Sequence, residues 1–150
     1  MADPTPAHIL VLYEDSRRGA AAIQQAAELA TRADALLTVV AVAVTEPEDT
    51  QCCDTRSVYW NGVVQELAAE DLGRARALLD PGTASEFKVV TERSVPVALE
   101  LEAQRSRADM IVVPSDRGIH PRSRSRRARQ VKRRVPDAVV VAALGRRLPA

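Results

Sequence analysis

The chain has 150 residues, 46% hydrophobic and 27% charged, which excludes a disordered polymer and suits one domain with its own core. No apolar run is long enough to cross a bilayer, and residues 1–6 hold no basic segment followed by an apolar stretch, so neither a membrane partner nor a secretory signal is expected and a cytoplasmic location is. The formal net charge of +1 conceals a strong polarity: residues 117–147 hold eleven Lys or Arg against one acid, whereas residues 1–116 hold 10 bases and 19 acids.

In chain order, His8-Ile9-Leu10-Val11-Leu12-Tyr13 is a nearly continuous apolar run, the pattern of a strand buried on both faces. Ser16 offers an N-cap to a helix reaching about Arg32, with Ile23, Ala26, Ala27 and Ala30 inward. Residues 36–44 form a second buried strand. The acidic stretch 45–55, with Pro47, reads as a loop. Its adjacent Cys52 and Cys53 have no His or further Cys at metal-ligand spacing and read as reduced thiols. A long helix is predicted over residues 58–79, with Val64, Leu67, Ala68, Ala75 and Leu78 inward, stopped by Asp80-Pro81-Gly82. Tyr59, Trp60 and Asn61 at its start read as a packing anchor or as a lid over the cleft between strands one and four.

Residues 87–91 are a short third strand, and Pro96 suits the first turn of a helix reaching about Ser106. Residues 108–113 are the fourth strand, ended by Pro114. Ser123 or Ser125 caps a last helix with Ala128, Val131 and Val135 inward, and residues 138–142 are the final strand. Apolar strands separated by helices predict a parallel sheet with helices on both faces. The whole chain is read as a single domain over residues 1–150, with tails at 1–6 and 145–150.

Four segments carry a resemblance: Ile9-Leu10-Val11-Leu12-Tyr13-Glu14-Asp15-Ser16, Leu37-Thr38-Val39-Val40-Ala41-Val42, Ala108-Asp109-Met110-Ile111-Val112-Val113, and Val131 followed by Val135-Pro136-Asp137-Ala138-Val139-Val140-Val141. In order and spacing they resemble the universal stress protein family over residues 7–144. The resemblance implies a five-stranded parallel sheet in the order 3-2-1-4-5, Rossmann-like and adenine nucleotide alpha hydrolase-like. It also implies a homodimer pairing through the last strand.

Nucleotide-binding members of that family carry G-x2-G-x9-G-[ST] after strand four. The glycines let backbone N–H groups approach phosphates, and the following helix N-terminus adds its dipole. This sequence departs from the pattern. Pro114, which has no N–H, stands at the first glycine, Arg117 near the second with Gly118 one place late, and Ser125-Arg126 at the final pair. Glu14 stands at the acidic residue that contacts adenosine, with Asp15 where a glycine usually follows. By family position the ligand-facing set is Glu14, Val42, Ser115, Ser125 and Arg126. ATP held in the usual manner is not expected, and no cofactor is assigned.

Residues 122–134 hold eight bases in 13 positions, the most unusual feature of the chain. Three readings stand side by side: a solvated helix face paired with acids elsewhere, a small-anion site whose arginines replace the glycine cradle, and a nucleic-acid contact. Aromatic residues make up 3% of the chain and none lies in this stretch, which argues against base stacking. Catalysis finds little support. His8 and His120 have no nucleophile elbow near them, and Ser115, Asp116 and His120 crowd into one loop. Glu14 and Asp15 lie where open α/β sheets bind ligands, at the carboxyl end of a strand, and read most simply as caps of the next helix. The expected function is that of a non-catalytic stress-response or regulatory protein, either ligand-free or binding a small anionic ligand at Ser115, Ser125 and Arg126, with no metal. Adenine-nucleotide binding through arginines and nucleic-acid association through residues 122–134 remain as alternatives.

Overall fold

The computed structural model describes residues 5–47, 55–83, 85–115 and 125–143. Its elements follow in the order β1 (His8–Leu12), α1 (Arg17–Ala33), β2 (Leu36–Val44), α2 (Thr55–Ala77), β3 (Ser85–Glu92), α3 (Val95–Ser106), β4 (Met110–Pro114), α4 (Arg126–Arg134) and β5 (Val139–Ala143). All strand pairs are parallel and the sheet order is β3-β2-β1-β4-β5, as the resemblance implied. Cys52, Cys53, Asp116, Arg117, Gly118, His120, Arg122, Ser123, Arg124, residues 1–4 of the first tail and the whole of the second lie outside the described residues.

β1 is apolar throughout because it is the central strand and both its faces are covered. Ile9 and Val11 pack beneath α1 and α2, while Leu10 and Leu12 pack beneath α3 and α4. Each such side chain contributes about 1.5–3 kcal/mol relative to exposure. Alanines at Ala22, Ala26 and Ala30, with Ile23, form the buried face of α1. Small residues there bring the helix axis close to the sheet. Ser16 is its N-cap, accepting from the Gly19 N–H at 3.0 Å, and Asp34 ends it in the left-handed region at φ 51°.

α2 departs from expectation in three ways. It begins at Thr55, inside the segment read as loop. Leu67 is 51% exposed and Leu78 lies beyond the helix, also exposed, so neither faces the core. The helix lies over β2 and β3 at one side of the sheet, where only a narrow stripe of Val64, Ala68, Leu72 and Ala75 is covered. Tyr59 and Trp60, 75% and 50% exposed, are neither a packing anchor nor a lid over β1 and β4. Asn61 is the buried member of that trio. Its Oδ1 accepts from the Glu46 N–H at 3.0 Å and its Nδ2 donates to the Glu46 carbonyl at 2.9 Å, clamping the chain as it leaves β2.

β4 runs through Pro114 rather than stopping before it, with Pro114 opposite Ala143 of β5. The missing N–H is tolerated because β1 pairs with β4 only as far as Val112. At the other end, Ala108 and Asp109 precede the strand. The Asp109 carboxylate accepts from the backbone N–H groups of Ala7 at 2.8 Å and His8 at 3.2 Å, anchoring the start of β1 to the start of β4. α3 starts at Ser94, whose Oγ accepts from the Val97 N–H, with Pro96 in its first turn as predicted.

Candidate functional site

The carboxyl ends of β1 and β4 and the N-termini of α1 and α4 converge on one edge of the sheet, where open parallel sheets place ligands. After β1 the chain stays tied to the sheet by the Tyr13 N–H, which donates to the Val40 carbonyl at 2.8 Å. It then turns sharply, the Ser16 N–H donating to the Glu14 carbonyl at 2.8 Å. Gly19 makes this turn feasible: a Cβ there would overlap the Glu14 carbonyl oxygen. The close approach fixes the backbone that carries Glu14.

Two arginine contacts span the cleft. Glu14 Oε1 meets Arg127 Nη1 at 2.9 Å, linking the end of β1 to the first turn of α4. Arg18 Nη1 donates to the Ser115 carbonyl at 2.8 Å, linking the first turn of α1 to the residue after β4. The Ser115 N–H in turn donates to the Ala143 carbonyl at 3.0 Å, so Ser115 is held from both neighbouring elements and is buried. Ser125 is buried and caps α4, its Oγ accepting from the Ala128 N–H at 3.2 Å. Arg126 is the first helical residue and is exposed at the mouth. Val42, on β2, is half-buried against the apolar cluster of Leu12, Val113 and Leu99.

Glu14 and Asp15 do not simply cap α1. Ser16 does that, and each carboxylate instead reaches an arginine of another element. Asp15 Oδ2 lies 3.3 Å from Arg74 Nη1 on α2, a guanidinium shared with Asp71 at 3.0 Å. Burial raises the Asp71 carboxyl above its ordinary value, against the opposing pull of Arg74. Burial also raises the Tyr13 phenol, with the charges of Asp15 and Asp71 adding to the effect.

Of the sequence-derived set, Glu14, Ser115, Ser125 and Arg126 thus lie on elements that meet at this edge, while Val42 contributes apolar wall from β2. Arg18, Gly19 and Arg127 were not singled out. The signal for Gly19 was a glycine in the first turn of a helix, where nothing local needs one. Arg127 was lost among its basic neighbours, and Arg18 gave no signal at all.

Chemically the arrangement offers cations and hydroxyls at a helix N-terminus, beside a carboxylate suited to hydrogen-bond donors such as hydroxyl or amino groups. His8 is remote from it, at the opposite end of β1. Its Nδ1–H donates to the Ser106 carbonyl at 3.0 Å, so Nε2 accepts from the Thr38 hydroxyl at 2.7 Å. Among the described residues no three His, Cys, Asp or Glu side chains form a metal-binding group, and no helix is long and apolar enough to cross a membrane. Grooves elsewhere include one of about 390 Å³ between α1 and the end of α2, lined by Glu28, Arg32 and Asp80, and one of about 360 Å³ beside β3.

Comparison with known proteins gives a consistent result. No curated protein matches the chain. A solved structure of a universal stress protein family member from Burkholderia pseudomallei is 24% identical, with a TM-score of 0.71 over 94% of this chain and 98% of that one. Universal stress protein UspA from Lactobacillus plantarum is 19% identical with a TM-score of 0.65, over 95% of this chain and 100% of that one. A universal stress protein in complex with cAMP is 17% identical with a TM-score of 0.61, over the same shares. At these identities the likeness speaks for the fold alone. The sequence profile of the universal stress protein family matches residues 6–143, nearly the whole chain, and on that match the chain belongs to the universal stress protein family.

Proposed function

We infer that this chain is a non-catalytic stress-response regulator whose cleft between β1 and β4 takes a small ligand with one phosphate, of the adenine mononucleotide class. The observation that carries the reading is the Glu14–Arg127 pair, a guanidinium already lodged across the cleft at the N-terminus of α4. A ligand phosphate takes the place of the Glu14 carboxylate on Arg127, beside Ser125 and Arg126, and gains the α4 dipole. Glu14, released, accepts from the sugar or base. A fold relative holding cAMP supports the ligand class. A triphosphate tail gains nothing further, because Pro114 stands where a phosphate loop needs an N–H. β5, an edge strand with Val139 half-exposed, is the surface through which two copies pair.

The test is calorimetric titration and thermal unfolding of nucleotide-stripped protein with AMP, cAMP, ATP and inorganic phosphate, with light scattering on the same samples to read the mass of the dimer. A ligand at about a hundred times its Kd adds about 2.7 kcal/mol, a shift of several degrees in a chain this size. Binding of AMP should be lost in Arg127→Ala and kept in Arg93→Ala, whose side chain is exposed on the β3–α3 connection. Absence of heat and of any shift with all four compounds refutes the ligand. Unchanged binding in Arg127→Ala refutes its placement, and a monomeric mass refutes the pairing.

A further inference from the structure

α4 carries six bases in nine residues, and the fold divides them into two sets. Three have work within the molecule. Arg127 pairs with Glu14, and Arg134 pairs with Glu100 of α3 at 2.9 Å. Lys132 Nζ donates to the carbonyls of Pro136 and Ala138 at 2.8 and 2.7 Å, closing the turn before β5. The other three, Arg126, Arg129 and Arg133, are exposed and form no ion pair with any described residue.

At about 100° per residue, positions 126, 129 and 133 fall within about 60° of one another, on the side of the helix opposite Val131. Val131 is fully buried, so the row points straight away from the core. It runs about 10 Å along the helix axis from Arg126 to Arg133, at 1.5 Å per residue.

We propose that this row of three arginines is a docking surface for the phosphate backbone of double-stranded nucleic acid, bound without regard to sequence. Its length spans about three phosphate steps of one strand, at 3.4 Å each along the duplex axis, so its three arginines can each meet a different phosphate. All three residues are arginine, whose planar fork meets phosphate oxygens in pairs. The fourth exposed residue of this face is Gln130, so the face has no apolar centre of the kind a protein partner covers. Nor does it offer apolar side chains to a membrane, since Val131 is turned inward. Single strands are disfavoured because the aromatic residues Tyr13, Tyr59, Trp60 and Phe87 all lie on or beside other elements, leaving no platform for bases. Residues 1–116, with 19 acids against 10 bases, repel the backbone and leave the contact to the basic C-terminal part of the chain that contains α4. This surface shares only Arg126 with the mononucleotide cleft, which uses the first turn of the same helix, while Arg129 and Arg133 belong to the row alone.

Fluorescence anisotropy with a labelled 30-base-pair duplex DNA of mixed sequence tests it. Three neutralised phosphates give a slope of about −2.7 for log K against log salt, and so about 40-fold weaker binding at 200 mM than at 50 mM. Arg129→Gln/Arg133→Gln, which leaves the cleft intact, should reduce the slope to about −0.9 and bring binding near to abolition, with its melting temperature unchanged. Arg93→Gln should match the parent. Three results overturn the proposal: no binding at 50 mM salt, binding that the double variant retains, or binding of polyglutamate or single-stranded DNA in preference to the duplex.

Discussion

Replacing Lys88 by Met tests whether the charged cluster on the β3 side of the sheet is held together as a unit. Glu102 lies in the middle of α3 with its side chain only 1% exposed, and Lys88 Nζ meets its carboxylate at 2.9 Å. Arg105, 3.8 Å away, is the other cation beside it, and Glu86 lies 3.4 Å from the lysine. The hydrogen bond to Glu102 holds the Lys88 ammonium above its ordinary value. That contribution is fully present below about pH 10.5 and is lost only as pH rises through the folded value, so it is constant across neutral pH. Met keeps the aliphatic stem, so Lys88→Met removes the charge and leaves a buried carboxylate with one exposed arginine. Breaking a buried pair from one side costs about 3 kcal/mol, or about 9 °C of melting temperature in a chain of this length. Adding Glu102→Leu should recover most of the loss, since a well-packed apolar pair replaces an ionic one at little cost. Urea denaturation of the three proteins at pH 7 reads all of this. A loss below about 1 kcal/mol, or a double variant no more stable than the single one, refutes the reasoning.

Gly19→Ala should destabilise by about 1–3 kcal/mol in spite of alanine's better helix propensity, because the new Cβ meets the Glu14 backbone, which cannot swing aside as a side chain would. A denaturation midpoint raised by the substitution would contradict the close approach. Burial holds the Tyr13 phenol above its ordinary 10.0, so the neutral form is favoured in the fold and stability falls as pH rises past 10, the same sign as for Lys88. Tyr13→Phe should therefore lose less stability between pH 9 and pH 11 than the parent in urea titrations, and equal losses would count against a buried phenol.

The strands were legible because burial on both faces writes a continuous apolar run, and residues 36–44 were placed without error on that basis. The capping of α1 by Ser16 and the entry of α3 at Pro96 were legible for the same local reason, since a helix end needs its partners within a few residues. α2 was less legible. Its inward stripe is narrow because it covers only one side of the sheet, and the sequence does not say how wide a face its neighbours offer. Leu67 was misplaced for that reason.

What the sequence by itself determined was which segments leave water, where α1 and α3 begin, and that Pro114, Ser125 and Arg126 stand where the family's glycine pattern would place other residues. It also showed a block of positive charge, but not its division. Only the tertiary structure decided that Arg127 and Arg134 are taken up by Glu14 and Glu100 while Arg126, Arg129 and Arg133 face outward. Only the fold brought Arg18 to Ser115, 97 residues away, and pressed Gly19 against Glu14. Hydrophobic burial is recorded along the chain as a period, because each residue's burial follows from its own element. The pairing of charges is not so recorded, because it depends on which chain ends the parallel crossovers carry to the same edge of the sheet.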